Sequence, residues 1–290
     1  MSRPSLGTTM LGIGIDTLVT FNPITVTPHT PIDEVVRLMS QHGIHHLPVI
    51  DGDLALVGMV SDLDVSRVLD QLPELIGDAA QDPALIVDAM PFVAEVVTQT
   101  VQYIAPGDPP EAALALIVQN EFHCVPVVHL GRLEGIITST DFLREMSYGE
   151  SPLARQSVAR VMRPLPTRIE ASVEIVAASR VMQPAGNYLL VESAGHPRGV
   201  LSQRQLRRAR LGELLADAPW LDHSSAWNTT ARCVGDLLPV DLLTVTPNEP
   251  LSVAAQRMLE RRVQGLLVID STRRLSGIVT ECDLLAALLG

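Results

Sequence analysis

Gly58-Met59-Val60-Ser61-Asp62-Leu63-Asp64 is one of four stretches in which a glycine is followed three residues later by Ser or Thr and six residues later by Asp or Gln. The others are Gly135-Ile136-Ile137-Thr138-Ser139-Thr140-Asp141, Gly199-Val200-Leu201-Ser202-Gln203-Arg204-Gln205 and Gly277-Ile278-Val279-Thr280-Glu281-Cys282-Asp283. The glycines stand 77, 64 and 78 residues apart, so the chain reads as four copies of one unit, grouped two and two.

The unit extends upstream. Thr25 to Pro28, Tyr103 to Pro106, Thr167 to Ala171 and Thr244 to Pro247 end 30, 29, 28 and 30 residues before their glycines, and each opens a short extended run. Thr30-Pro31 and Asp108-Pro109 place a capping side chain before a proline, which suits the first helical position because its missing N–H bonds nothing there. Ile32, Val35, Val36 and Met39 then keep helical spacing, as do Ile175, Ala178 and Met182, and Leu251, Ala254, Ala255 and Met258. Compact apolar runs follow at Leu47 to Ile50, Val125 to Val128, Leu189 to Val191 and Leu266 to Ile269, too short and too β-branched for another helix. A polar turn such as Asp51-Gly52-Asp53 leads to a second run ending near the glycine, then to a helix such as Asp62 to Leu72. The unit is strand, helix, strand, strand, helix.

Two explanations fit the four endings. Ser or Thr followed three residues later by an acid or amide is a capping box, which covers all four copies, Gln205 included. Capping boxes favour the longer Glu or Gln, however, and three copies carry Asp. A carboxylate can also accept two hydrogen bonds from a diol while the exposed N–H groups of a helix start attract phosphate, so ligand binding remains open beside capping.

The order of elements, the segments Leu47-Pro48-Val49 and Val125-Pro126-Val127, and the four Gly-x-x-Ser/Thr endings resemble cystathionine-β-synthase (CBS) domains over roughly residues 10 to 290. The resemblance implies an α/β (α+β) fold of four βαββα repeats at 10–72, 87–147, 158–211 (degenerate) and 234–290. CBS domains pair into Bateman modules, here expected at 1–150 and 151–290 and joined as a flat disc. It implies that Asp64, Asp141 and Asp283 hold ribose hydroxyls of an adenine nucleotide, with Ser61, Thr138 and Thr280 on ribose or phosphate, while Ser202 and Gln205 keep a structural role. In pairs resembling the gamma subunit of AMP-activated kinase, a basic residue three positions before the apolar-Pro site touches phosphate. That position is His45, His123, Tyr188 and Gln264 in the four repeats, so only the first module keeps the basic character. A histidine there, with a reference pKa of ~6.5, would make binding pH-dependent.

Composition narrows the classes. The 290 residues carry 21 basic and 33 acidic side chains, net −12, which opposes nucleic-acid binding. The strip Arg204, Arg207, Arg208 and Arg210 reads as a solvated helix face. All the basic residues are Arg; without lysine there is no Walker A loop, pyridoxal Schiff base or lysine aldolase. Cys124, Cys233 and Cys282 form no close pair, as in a reducing compartment. No apolar run reaches the ~18 to 20 residues of a membrane helix, and the N-terminus lacks signal-peptide character, so a cytoplasmic protein is expected. His42, His45 and His46 are close enough to suggest a metal, but Gly43 interrupts them and neighbouring strand residues face opposite ways. Trp220 and Trp227 fall in the segment joining repeats three and four.

The expected function is a non-catalytic sensor that binds AMP, ADP, ATP or a similar adenosine ligand in clefts between repeats. Binding would be concentrated in the first module, and the signal would pass to an effector protein. No cofactor, metal, nucleic acid or membrane is required, and a homodimer is compatible. S-adenosylmethionine or a cyclic dinucleotide is the alternative ligand. A ligand-free scaffold is the rival class, and an enzyme ranks last because no nucleophile and base can be paired.

Overall fold

The computed structural model describes residues 14–76, 90–214 and 231–290. The first unit comprises β1 (Thr20–Phe21), α1 (Ile32–His42), β2 (His46–Ile50), β3 (Leu56–Ser61) and α2 (Asp62–Ile76). The second has α3 (Val93–Val96), α4 (Pro110–Asn120), β4 (Cys124–His129), β5 (Arg132–Thr138) and α5 (Ser139–Ser147). The third has β6 (Arg168–Glu170), α6 (Ile175–Ala185), β7 (Tyr188–Ser193), β8 (His196–Ser202) and α7 (Gln203–Leu214). The fourth has β9 (Thr244–Val245), α8 (Leu251–Arg261), β10 (Gly265–Ile269), β11 (Leu275–Thr280) and α9 (Glu281–Ala287).

One register recurs in all four. Val26, Ile104, Ile169 and Val245 pair in parallel with Val49, Val127, Val191 and Val268, and each of those valines sits opposite a motif glycine in an antiparallel hairpin. The apolar face of each long helix covers its hairpin. Ile32, Val35, Val36 and Met39 are fully buried in α1, which ends at Gly43 in the left-handed conformation, φ 64°. The expected caps at Thr30 and Asp108 act elsewhere. Thr30 Oγ1 accepts from Thr27 N at 3.0 Å and Asp108 Oδ2 from Ala105 N at 2.7 Å, so each closes the turn before the helix, whose N-cap is the following proline.

The motif glycines have a packing reason. Segments of one unit cross the hairpin edge of its mate: Thr20 and Phe21 pair with Ile136 and Gly135, Thr98 with Met59, and Arg163 with Ile278. A Cβ on Gly58, Gly135 or Gly277 would stand 2.9, 2.8 or 2.3 Å from the carbonyl oxygen of Thr98, Thr20 or Arg163, closer than atoms can approach. Units one and two therefore exchange edges reciprocally. Among the described residues, units three and four exchange only one. Five residues after the buried aliphatics Ile15, Val93 and Val158 stand the crossing residues Thr20, Thr98 and Arg163; five after Val234 stands Pro239, which has no N–H to give a ladder.

The hydrophobic cores link the pairs. One cluster joins the second and fourth units, including Phe142, Leu143 and Met146 with Leu251, Ala254, Met258 and Leu285. The first unit's cluster takes in Leu211 from α7 of the third. The arginine strip on α7 corrects the expectation of a solvated face. Arg207 Nη1 lies 3.2 Å from Asp62 Oδ1 and Arg210 Nη2 2.6 Å from Asp70 Oδ1, so the strip docks α7 onto α2. Trp220 and Trp227, in the segment joining repeats three and four, lie outside the described residues. Among the described residues no helix is long and apolar enough to cross a membrane.

Candidate functional site

Each hairpin delivers a helix start to the centre of the molecule. The first residues of α2, α5, α7 and α9 are Asp62, Ser139, Gln203 and Glu281, and their backbone N–H groups donate to the carbonyls of His45, His123, Asn187 and Gln264 at 3.0, 3.1, 2.8 and 2.9 Å. All four line one cavity of about 430 Å3, together with Ser61, Asp64, His46, His123, Arg204 and Arg207. That size is in the range of small-molecule sites. Helix starts carry partial positive charge, and around them Arg67, Arg204 and Arg207 share the lining with the carboxylates of Asp62, Asp64, Glu121 and Glu281. Asp62 Oδ2, Arg204 Nε and Glu281 Oε1 are buried there without a hydrogen-bonding partner among the described residues.

Capping is real in every motif. Ser61, Thr138 and Thr280 each donate both the backbone N–H and the hydroxyl to Oδ2 of Asp64, Asp141 and Asp283, at 2.6 to 2.9 Å; Ser202 does the same to Gln205 Oε1, at 3.0 Å from each donor. One oxygen thus holds the turn while the other, Oδ1, stays free for a different partner. That partner separates the units. Arg67 Nη1 stands 3.7 Å from Asp64 Oδ1, beyond hydrogen-bonding distance, while Arg144 and Arg163 reach 2.8 and 2.7 Å from Asp141 and Asp283. Asp64 and Ser61 line the central cavity; Thr138, Asp141, Thr280 and Asp283 lie outside its lining. Ser202 Oγ is also 2.8 Å from Gln264 Oε1, tying the third motif to the fourth unit.

The histidines divide differently from the expectation. His123 lines the cavity, but His45 does not: it is buried with Nδ1 3.5 Å from Arg208 Nη2 and 3.7 Å from Asp62 Oδ2. His46 takes the place on the wall, its ring centroid 6.0 Å from that of His123. Burial, then neighbouring arginines, lowers His45 to about 2 and His46 and His123 to about 3. These imidazoles are neutral at pH 7, so the partial charge expected for His45 and His123 is absent. Burial likewise lowers Arg208 to about 10, leaving it charged. The pairing register also shifts the third repeat by one. Tyr188 sits opposite Ser202 as His46 does opposite Ser61, so Asn187 is the counterpart of His45, His123 and Gln264. Sequence reasoning missed Asp62, His46, Arg204, Arg207 and Glu281 as cavity residues. Four of them lie within five residues downstream of a motif hydroxyl, a signal that the repeat spacing carried. No group of three or more His, Cys, Asp or Glu suited to a metal occurs among the described residues.

The CBS-domain family model matches residues 15–71, 93–148 and 234–290. The chain belongs to the CBS-domain family. Among curated relatives, protein MJ1225 of Methanocaldococcus jannaschii is 28% identical over 124 residues, covering 42% of this chain and 39% of that protein. Inosine-5'-monophosphate dehydrogenase of Mycobacterium tuberculosis is 29% identical over 201 residues, 66% of this chain and 33% of the enzyme. By sequence, the chain thus spans about two fifths of MJ1225 and a third of the dehydrogenase. The crystal structure of MJ1225 matches at a TM-score of 0.70 with 17% identity, covering 94% of this chain and 99% of that one, and so shares the fold.

Proposed function

We propose that this CBS protein is a non-catalytic sensor that binds an adenosine phosphate, AMP, ADP or ATP, at the central cavity and reports its presence to a partner protein. The carrying observation is Asp64. Its Oδ2 is held by Ser61, its Oδ1 has no hydrogen-bond partner among the described residues, and it lines the same cavity as Arg204 and Arg207. A carboxylate of that kind suits a ribose diol, and arginines beside converging helix starts suit phosphate. Ser61, Asp64, His123 and the added His46 form the principal site; Thr138 and Asp141 would form a second cleft only with Arg144 turned away, an exposed side chain of the same helix that now holds Asp141 Oδ1 at 2.8 Å. Residues 10–72, 87–147, 158–211 and 234–290 are assigned as CBS repeats paired into Bateman modules at 1–150 and 151–290. The third, outside the family match, is included because its parallel pairing, hairpin register and motif repeat those of the others.

S-adenosylmethionine is the alternative ligand: Arg67, Arg204 and Arg207 share the lining with Asp62, Asp64, Glu121 and Glu281, and the arginines and helix starts are groups that a phosphate would use and a sulfonium would not. A ligand that binds one arrangement of the units better than another shifts the population toward it, which is how occupancy becomes a signal. The test is calorimetry on the ligand-stripped full chain. AMP or ATP should bind, and Asp64→Asn should weaken binding about ten- to a hundredfold, as expected for a lost charge-assisted hydrogen bond of about 1.5–3 kcal/mol. Arg204→Gln should weaken AMP but leave adenosine unchanged. Tighter binding of S-adenosylmethionine than of any adenosine phosphate would overturn the reading.

A further inference from the structure

The fourth unit presents the same hydroxyl and carboxylate as the first, yet both are taken by one side chain. Arg163 Nε lies 2.7 Å from Asp283 Oδ1 and Arg163 Nη2 2.9 Å from Thr280 Oγ1. The arginine comes from the segment that crosses β11, and its backbone is pinned there by Arg163 N to Ile278 O at 2.8 Å and Ile278 N to Arg163 O at 2.9 Å. The crossing position has a defined relation to the motif. In the first unit the crossing residue is Thr98, which lines the central cavity beside Ser61 and Asp64. In the second it is Thr20. Threonine is too short to span from there to the carboxylate, whereas an arginine on the same backbone reaches it with two donors.

We propose that Arg163 is a built-in occupant of the fourth repeat's cleft. Its guanidinium presents two donors to Asp283 and Thr280 where a ribose would present its two hydroxyls, so the fourth motif, although complete in sequence, takes no nucleoside. This rests on the reading of the motif carboxylates as ribose-binding groups. It changes what the sequence alone suggests: Asp283 is excluded by a residue 120 positions away and not by any defect of its own motif. Arg163 is half-exposed, its side chain 50% accessible against 11% for Asp283, so replacing it leaves the core untouched.

The experiment is AMP titration calorimetry on the full chain as wild type, Arg163→Thr and Arg163→Thr/Asp283→Asn, with melting temperatures as the check on folding. Threonine already occupies the equivalent crossing positions 20 and 98, and Arg163→Met, which keeps the stem and removes the donors, is the second variant. R163T should bind one more equivalent of AMP per chain than wild type, and D283N in that background should remove the added site. An unchanged number of sites in both R163T and R163M, each melting within a few degrees of wild type, overturns the inference while the wild-type site stands. Fewer sites or weaker binding in R163T also overturns it, by making Arg163 a ligand contact. No AMP binding by wild type or either variant overturns the inference together with the functional reading.

Discussion

His46 and His123 face each other on the cavity wall with Arg204 and Arg207 nearby, and His45 lies behind them against Arg208 and Asp62. Burial and these cations favour the neutral ring, so the folded-state values of about 2 to 3 lie well below the unfolded ~6.5. The unfolded chain therefore takes up protons first as pH falls. The stabilisation is complete above pH ~6.5 and is lost as pH drops from there toward 3, by about 1.4 kcal/mol per histidine for each pH unit. The urea midpoint should fall between pH 7.5 and pH 5.5, and His46→Gln/His123→Gln should flatten that slope. Equal wild-type midpoints at the two pH values would contradict the burial of neutral imidazoles.

The hairpin edge is the element on which the repeat depends. Gly135 lets β1 cross β5 because an added Cβ would come 2.4 Å from Val19 Cγ1 and 2.8 Å from Thr20 O. Backbone cannot retreat there without breaking the pairing of Thr20 with Ile136 and Phe21 with Gly135. Gly135→Ala should cost about 1–3 kcal/mol by overpacking, whereas Gly52→Ala, in an open turn with nothing within 4 Å, should stay within about 0.5 kcal/mol. Denaturant melts of the two variants decide the matter, and equal midpoints would rule out a steric role for the motif glycine. At Gly199 the neighbour is the Leu238 side chain at 3.4 Å and not a crossing backbone, in line with Pro239.

At the scale of the molecule, the pairs are not independent bodies. The second and fourth units share one core, and α7 of the third is joined to α2 of the first by Arg207–Asp62 and Arg210–Asp70. Asp62 is nearly inaccessible, so removing its partner would leave a buried charge poorly compensated. Calorimetric melting of the full chain should show a single cooperative transition. Phe142→Ala, in the shared core, should destabilise by about 3–5 kcal/mol and shift that transition as a whole. Two resolved transitions, only one of them moved by the substitution, would show that the modules unfold separately.

The sequence by itself determined the local repeat. Spacing of apolar residues, β-branched runs and turn residues named the elements of all four units, because these depend on neighbours a few residues away. It also located Asp64, Asp141 and Asp283, and both readings of them, since the Ser/Thr-x-x-Asp spacing forces the cap and leaves one carboxylate oxygen over. What that second oxygen meets was decided only by tertiary structure. Arg67, Arg144 and Arg163 are equally plain arginines in the sequence, but the last arrives from a crossing segment whose path no local pattern records. The same holds for the strip on α7, which looks solvated until α2 is laid against it, and for His45 and His46, whose exchange of roles follows from strand register. A one-residue shift in register turns a side chain to the other face, and pairing partners far apart in the chain fix that register.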